Sequence, residues 1–486
     1  MHILLIYLEP LNNEPLGLMY IGTILKKEGY SVKIIGLKKR NNEKHIFQEI
    51  YEFRPSVVGI SITTPLADIA QKIACFIKKR FPHIIVVAGG PHPTILPYET
   101  LKEKNIDICV IGEGELTIIE LLRIISEKKD LRDVKGIAYL ETNKLIITPQ
   151  QDFIEDLDSL PFIDRELMPK SVIYGRAGYP LGNPCMLIII GRGCPFNCSF
   201  CQPTIRRMFG AKLRRRSVEN VIEEIVQLKT KYGINGLWIT DDTFLVERSW
   251  VERFCDYLIK KNIDILWYAN GRLNNPDEEI LKKMYKSGCR GLVMTPESGS
   301  QRIRNEILNK GITDEEIFKA YRICKKIGLP FQANIMLATP TETEEELKSS
   351  LSLIKKIQPH FMNLSYTTAL PGTYLYERYF NQIKDSLYYR RYSDFDIGRF
   401  KKLDCQIEDK KIKKIHRFFE KYYDKTSFRN RARHFLKYPY FRRILYRRWK
   451  TLLFSKYPKF LHLGYDIISI ILGIIPYIIN KNKYKE

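Results

Sequence analysis

The sequence predicts an α/β protein: an N-terminal doubly wound, Rossmann-like domain, then a partial (β/α)6 barrel of the TIM type, then a mostly helical, basic C-terminal tail. Three observations predict it. Short apolar runs alternate with segments that are apolar at helical spacing, once over residues 1 to about 125 and again over 185–367, the rhythm of parallel sheets. Small, hydroxyl and carboxylate residues collect just after the apolar runs, at the strand ends where such sheets bind ligands. Past about residue 380 the rhythm stops: residues 410–486 carry 21 Lys/Arg against 4 Asp/Glu, most of the net charge of +24 on 486 residues. The domain limits that follow are 1–128, 129–184 (a connector), 185–385 and 386–486.

In the first domain residues 2–7 read as strand one. A helix over 17–28 places Leu18, Ile21, Ile24 and Leu25 on one face and stops at Gly29. Strands over 31–36, 57–62, 84–90 and 108–111 follow, with a helix over 66–80. Three loops at their carboxyl ends, 61–64, 89–92 and 112–117, are rich in Gly, Ser and Thr. Glycine lets a bulky ligand approach the backbone and hydroxyls bond its polar edges, which suits a nucleotide or flavin as well as any larger cofactor. A hairpin around Thr142-Asn143-Lys144 and a Pro-punctuated stretch to Pro184 form the connector, to which no chemistry is assigned.

In the second domain strands are expected at 186–190, 236–240, 265–270, 291–295, 331–337 and 361–367. The helix over 217–232 starts on Ser217 as N-cap, with Glu219 and Glu223 in its first turns. The loop after the first of these strands holds Cys194, Cys198 and Cys201, spaced C-x3-C-x2-C. Thiolates so close on one loop converge on a soft metal centre, an iron–sulfur cluster or zinc. Three ligands leave one position open, which speaks for a catalytic centre over a closed zinc site. Asp241, Asp242, Arg272, Glu297 and Ser298 stand at the ends of later strands. The runs Arg206-Arg207 and Arg214-Arg215-Arg216 read as solvated surface. With ten cysteines, three of them clustered, and a first strand that begins at residue 2, a reducing cytoplasm is the expected compartment.

The cysteine spacing resembles the signature of the radical S-adenosylmethionine (SAM) enzymes, and the first domain is similar to the cobalamin-binding domain that precedes many of their cores. The first resemblance implies a [4Fe-4S] cluster on Cys194, Cys198 and Cys201, with SAM on the fourth iron. SAM needs carboxylates for its ammonium and diol, a cation for its carboxylate and an apolar slot for its adenine. Asp241, Asp242, Arg272, Glu297 and Ser298 supply these types, while Phe196 and Phe200 would shield the cluster and flank the adenine. The resemblance places Glu297-Ser298 against SAM and Asp241-Asp242 near its amino group or the substrate, and implies an electron donor such as flavodoxin or ferredoxin. Reductive cleavage of SAM to a 5′-deoxyadenosyl radical is the activity that follows. The second resemblance implies that Ser61, Gly89 and Gly90 line the groove for the cofactor's nucleotide tail. The Asp-x-His-x-x-Gly motif that supplies a lower cobalt ligand in many cobalamin proteins is missing; Glu9-Pro10-Leu11-Asn12-Asn13 stands in its place. His92 is the best-placed histidine, and cobalamin bound without a histidine ligand or an empty remnant of the domain are the two outcomes left open. With cobalamin, methylation of an unreactive carbon leads, and oxidative cyclisation or rearrangement comes second.

The tail interleaves Lys/Arg with aromatics, then turns apolar over 467–479, 13 residues where a bilayer needs about 20. An in-plane or re-entrant membrane contact at the inner face, and with it a lipid or isoprenoid substrate, is one expectation; a helix packed on the barrel is the other. Nucleic acid suits a basic, aromatic stretch too. Against it, the methylthiotransferases that modify tRNA carry three extra cysteines in their N-terminal domain, and this one has only Cys75 and Cys109.

Overall fold

The computed structural model describes residues 1–8, 14–37, 43–168, 184–274, 277–379, 405, 407–408 and 410–419. The first sheet takes β1 (His2–Leu8), β2 (Ser31–Leu37), β3 (Val57–Ser61), β4 (Ile85–Gly89), β5 (Ile108–Val110), β6 (Ile137–Glu141) and β7 (Lys144–Ile147), in the order 2-1-3-4-5-6-7. The strands are parallel through β5, and β6 and β7 extend the edge antiparallel. The hairpin read as connector is therefore part of this sheet. Strand order reverses between β1 and β3, the switch point beside which doubly wound sheets bind ligands.

The apolar runs are nearly continuous because both faces are covered. Ile3, Leu5 and Tyr7 face α1 (Leu16–Lys27) and α6 (Glu115–Glu127). Leu4, Ile6 and Leu8 face α2 (Glu43–Phe53) and α3 (Ala67–Arg80). Two short helices, α4 (Pro91–Ile95) and α5 (Pro97–Leu101), follow β4.

The second sheet is six parallel strands in chain order: β8 (Cys185–Ile188), β11 (Gly236–Ile239), β12 (Leu266–Gly271), β13 (Cys289–Met294), β14 (Phe331–Leu337) and β15 (Phe361–Tyr366). They form an open half-barrel. Between β8 and β11 lie the short ribbon β9 (Gly191–Arg192) with β10 (Arg214–Arg215), α7 (Thr204–Phe209), and α8 (Val218–Tyr232), which Ser217 caps as expected. Outside run α9 (Arg248–Lys260), α10 (Glu278–Lys286), α11 (Asp314–Ile327) and α12 (Glu344–Ile357); α13 (Tyr374–Tyr379) follows β15. Thr313 and Thr343 close capping boxes at α11 and α12.

Residues 410–419 are helical and bring Ile412 and Phe419 into the main core, so this first part of the tail packs on the barrel. The expected apolar segment 467–479, and with it the membrane contact, lies outside the described residues. Among the described residues no helix is long and apolar enough to cross a membrane.

One correction concerns the arginine run. Arg214 and Arg216 are buried, and the Arg215 side chain is 4% exposed. Arg214 meets Glu113 at 2.8 Å, and Arg216 meets Glu224 at 2.5 Å. Arg165, also buried, joins Glu14 at 2.5 Å and Glu224 at 3.6 Å. Guanidinium groups this far from water persist only with anions beside them, and these anions come from both domains.

Candidate active site

Beyond β8 the chain turns through the β9–β10 ribbon into the cysteine loop. Gly193 takes φ +90°, and a Cβ there would overlap the Lys212 carbonyl, so this turn needs glycine. The loop is then held from two later parts of the barrel. The Ser199 amide donates to the Leu308 carbonyl at 2.9 Å and its hydroxyl to Ile307 at 2.6 Å; the Leu375 amide donates to the Ser199 carbonyl at 2.9 Å.

Cys198 is buried, Cys194 half-buried, and Cys201 open on one side to the mouth of the half-barrel. Burial pushes the Cys194 thiol up, Asp242 and Cys198 add to the shift, and Arg272 opposes it. The Cys201 thiol is pushed up to about 12 by its enclosed surroundings, then by Cys198, Glu297 and Asp242, against Lys310. The three thiols, two carboxylates and two cations thus share one volume. Among the described residues no three Cys, His, Asp or Glu side chains converge as a single metal ion requires. Three thiols on one loop are the donor type that an iron–sulfur cluster takes, each on a different iron.

The remaining expected residues divide. Glu297 is buried, holds φ +66°, and accepts from Lys310 Nζ at 2.5 Å; that ammonium also donates to Thr295 Oγ1 at 2.6 Å. Lys310 stands 5.8 Å from the Phe200 ring, which lines the same wall. Asp242 opens to the mouth, whereas Asp241 turns inward: its Oδ1 accepts from the Ile190 amide at 2.7 Å, and burial pushes its carboxyl up to about 6. Asp241 therefore anchors the start of the cysteine loop. Ser298 is fully buried with its hydroxyl 3.3 Å from that of Ser350 on α12, so its side chain does not line the mouth. Arg272 places Nη1 3.4 Å from the Cys198 sulfur and its guanidinium 3.7 Å from the Phe196 ring centre. Lys310 was not singled out from the sequence; in a chain rich in lysine, only its burial distinguishes it.

In the first domain Ser61 and Gly90 adjoin at the ends of β3 and β4. Gly90 has φ +99°, and a Cβ on it would sit 3.1 Å from the Ile62 carbonyl. A Cβ on Gly89 would meet nothing nearer than Val110, at 3.9 Å, leaving the backbone approachable. His92 is 2% exposed within α4 and does not open onto this groove. The groove faces the second domain: Gly112 lies against the backbone of Arg207 and Met208, and Ile95 against Gly372. Glu113 ties the two together, pairing with Arg192 at 3.1 Å and with Arg214. Burial opposes its ionisation, but the two arginines outweigh that and hold its carboxyl below the usual range.

Residues 10–122 match the B12 binding domain and residues 188–354 the radical SAM superfamily. An uncharacterized methyltransferase of Pyrococcus horikoshii is 33% identical over 83% of this chain and 86% of its own. The chain belongs to the B12-binding radical SAM enzymes. The family's cofactors are a [4Fe-4S] cluster, SAM and cobalamin, and its homologues include methyltransferases. The anaerobic magnesium-protoporphyrin IX monomethyl ester cyclase of Rubrivivax gelatinosus is 28% identical over 75% of this chain and 66% of its own. The fold is shared with the radical SAM methyltransferase TsrM of Kitasatospora setae, solved with cobalamin and a [4Fe-4S] cluster, at a TM-score of 0.66, 19% identity and 78% of each chain.

Proposed function

We propose that this radical SAM enzyme methylates an unactivated carbon of a small organic substrate, using cobalamin as methyl carrier. The observation that supports it is the contact between the two sets of strand ends: Gly112, after β5, lies against the backbone of Arg207 and Met208 on α7, the helix that follows the cysteine loop, and Glu113 pairs with Arg192 and Arg214. When bound, the cofactors supply a 5′-deoxyadenosyl radical and a transferable methyl group. The chain's own residues hold and orient. Cys194, Cys198 and Cys201 would ligate three irons and leave the fourth for SAM. Glu297 and Asp242 offer carboxylates to the ammonium and diol of SAM, and Phe200 an apolar wall. Ser61, Gly89 and Gly90 would cradle the nucleotide tail of cobalamin.

The concave face of the half-barrel bears on the substrate. Phe331, Ala333 and Ile335 pack outward on the helices, so Gln332 and Asn334 point inward. Met362 and Leu364 likewise leave Asn363 and Ser365 on the inner side. With Thr240 and Asn270, this face sets amides and hydroxyls beside the apolar and aromatic side chains of Trp238, Tyr268 and Val293, and the Tyr268 hydroxyl donates to the Gln332 amide oxygen at 3.1 Å. It suits a substrate that carries both hydrogen-bonding groups and an apolar or aromatic part; the lipid or isoprenoid class drew its support from the tail beyond residue 419. Oxidative ring formation is the second reading, favoured by the 28% identity to the cyclase.

The test is anaerobic reconstitution followed by absorption spectra for iron and cobalamin, then incubation with methyl-labelled SAM and a reductant. 5′-Deoxyadenosine formation that Cys198→Ala abolishes, with label in a product, supports methylation. Deoxyadenosine with bound cobalamin but an unlabelled, dehydrogenated product turns the reading to cyclisation.

A further inference from the structure

Arg272 is the one described cation that touches a cysteine of the loop. Its Nη1 lies 3.4 Å from Cys198 Sγ, Nε donates to Asn274 Oδ1 at 2.5 Å, and Nη2 donates to the Lys310 carbonyl. The guanidinium lies on the Phe196 ring, 3.7 Å from its centre, and Phe196 belongs to the same loop. Plane, position and direction are thus all fixed, and a flat fork stacked on a ring is a geometry lysine cannot copy. The fork is thus committed to sulfur, ring and two oxygens.

We propose that Arg272 is a positioning residue that donates a charged hydrogen bond to the Cys198 thiolate and so raises the reduction potential of the cluster. The inference rests on the assignment of the cluster to Cys194, Cys198 and Cys201. Reduction moves one electron from a donor of the reduced ferredoxin or flavodoxin class to the cluster; the donor is oxidised by one electron and no proton moves. The added negative charge falls on a centre whose three thiolates are already anionic. A cation on one of those sulfurs stabilises the reduced form more than the oxidised form, and hydrogen bonds to sulfur are a recognised lever on such potentials. Arg272 thereby brings the cluster within reach of its donor, while SAM contacts fall to the Glu297–Lys310 wall.

The experiment is a redox titration of the reconstituted holoprotein, followed by the electron paramagnetic resonance signal of the reduced cluster, with iron and sulfide counted for each variant. Arg272→Gln is expected to lower the reduced-to-oxidised ratio at fixed potential about tenfold, which for one electron is about 59 mV. Arg272→Lys, keeping the charge but not the fork, should fall between, and Phe196→Leu should shift the same way through loss of the platform. Should Arg272→Gln fail to take up a cluster, the two milder variants carry the test. Unchanged potentials in variants with full iron content overturn the proposal. So does an unchanged potential combined with loss of the spectral change on adding SAM, which would move Arg272 to the SAM site. Wild-type protein that binds no iron and sulfide overturns the cluster assignment itself, and the inference with it.

Discussion

At Gly193 the backbone has φ +90° and the Lys212 carbonyl stands where a side chain would begin. Gly193→Ala must push the cysteine loop off the β9–β10 ribbon, at a cost of about 1–3 kcal/mol. Iron uptake on reconstitution should fall while far-ultraviolet dichroism stays the same. Glu342, after β14, is a different residue-scale case. It is fully buried, and burial pushes its carboxyl up to about 8, with Glu346 adding to the rise against the Thr339 amide. The folded chain thus binds its proton more tightly than the unfolded chain does. The stability this group contributes is present below the ordinary value of 4.5 and is lost as pH rises through about 8. Glu342→Gln removes the titration and keeps an acceptor for Thr339. Melting temperatures measured from pH 5 to 8 should fall for the wild type and stay flatter for the variant; parallel curves would refute the assignment.

The elements show what could be read in the sequence. The parallel strands announce themselves because burial on both faces writes an unbroken apolar run, as at β1 and β8, and the helices because theirs is a single stripe. The three cysteines are legible since their ligand geometry is local. The ribbon β9–β10 is not: two residues per strand carry no period, and the partner that buries Arg214, Glu113, lies 101 residues away. Without that partner Arg214-Arg215-Arg216 looks like any solvated run. Ser298 misleads for a related reason, since its neighbour Glu297 does line the mouth while its own hydroxyl turns to α12. The ribbon also makes a prediction. Glu113→Ala leaves Arg214 and one side of Arg192 without an anion in a dry interface, so unfolding in urea should show a loss of about 3–5 kcal/mol. A surface-like loss below about 1 kcal/mol would mean that the interface is wet.

For the whole molecule, one core runs through both sheets: Leu5 and Tyr7 of β1, Ile163 of the connector and Ile188 of β8 belong to it. Calorimetry should therefore show one transition, and residues 1–149 expressed alone should expose apolar surface and bind a hydrophobic dye. Ending the chain at 379 removes Ile412 and Phe419 from the core and should lower the melting temperature. The clamp on the cysteine loop has one more consequence. Ser199 is fastened by Ile307, 108 residues downstream, and by Leu375 beyond it. On the ribosome the three thiols emerge well before their walls have been translated, and they wait as bare sulfur on an unfinished nascent chain. The walls of the loop are thus complete only once the chain has been made past residue 375.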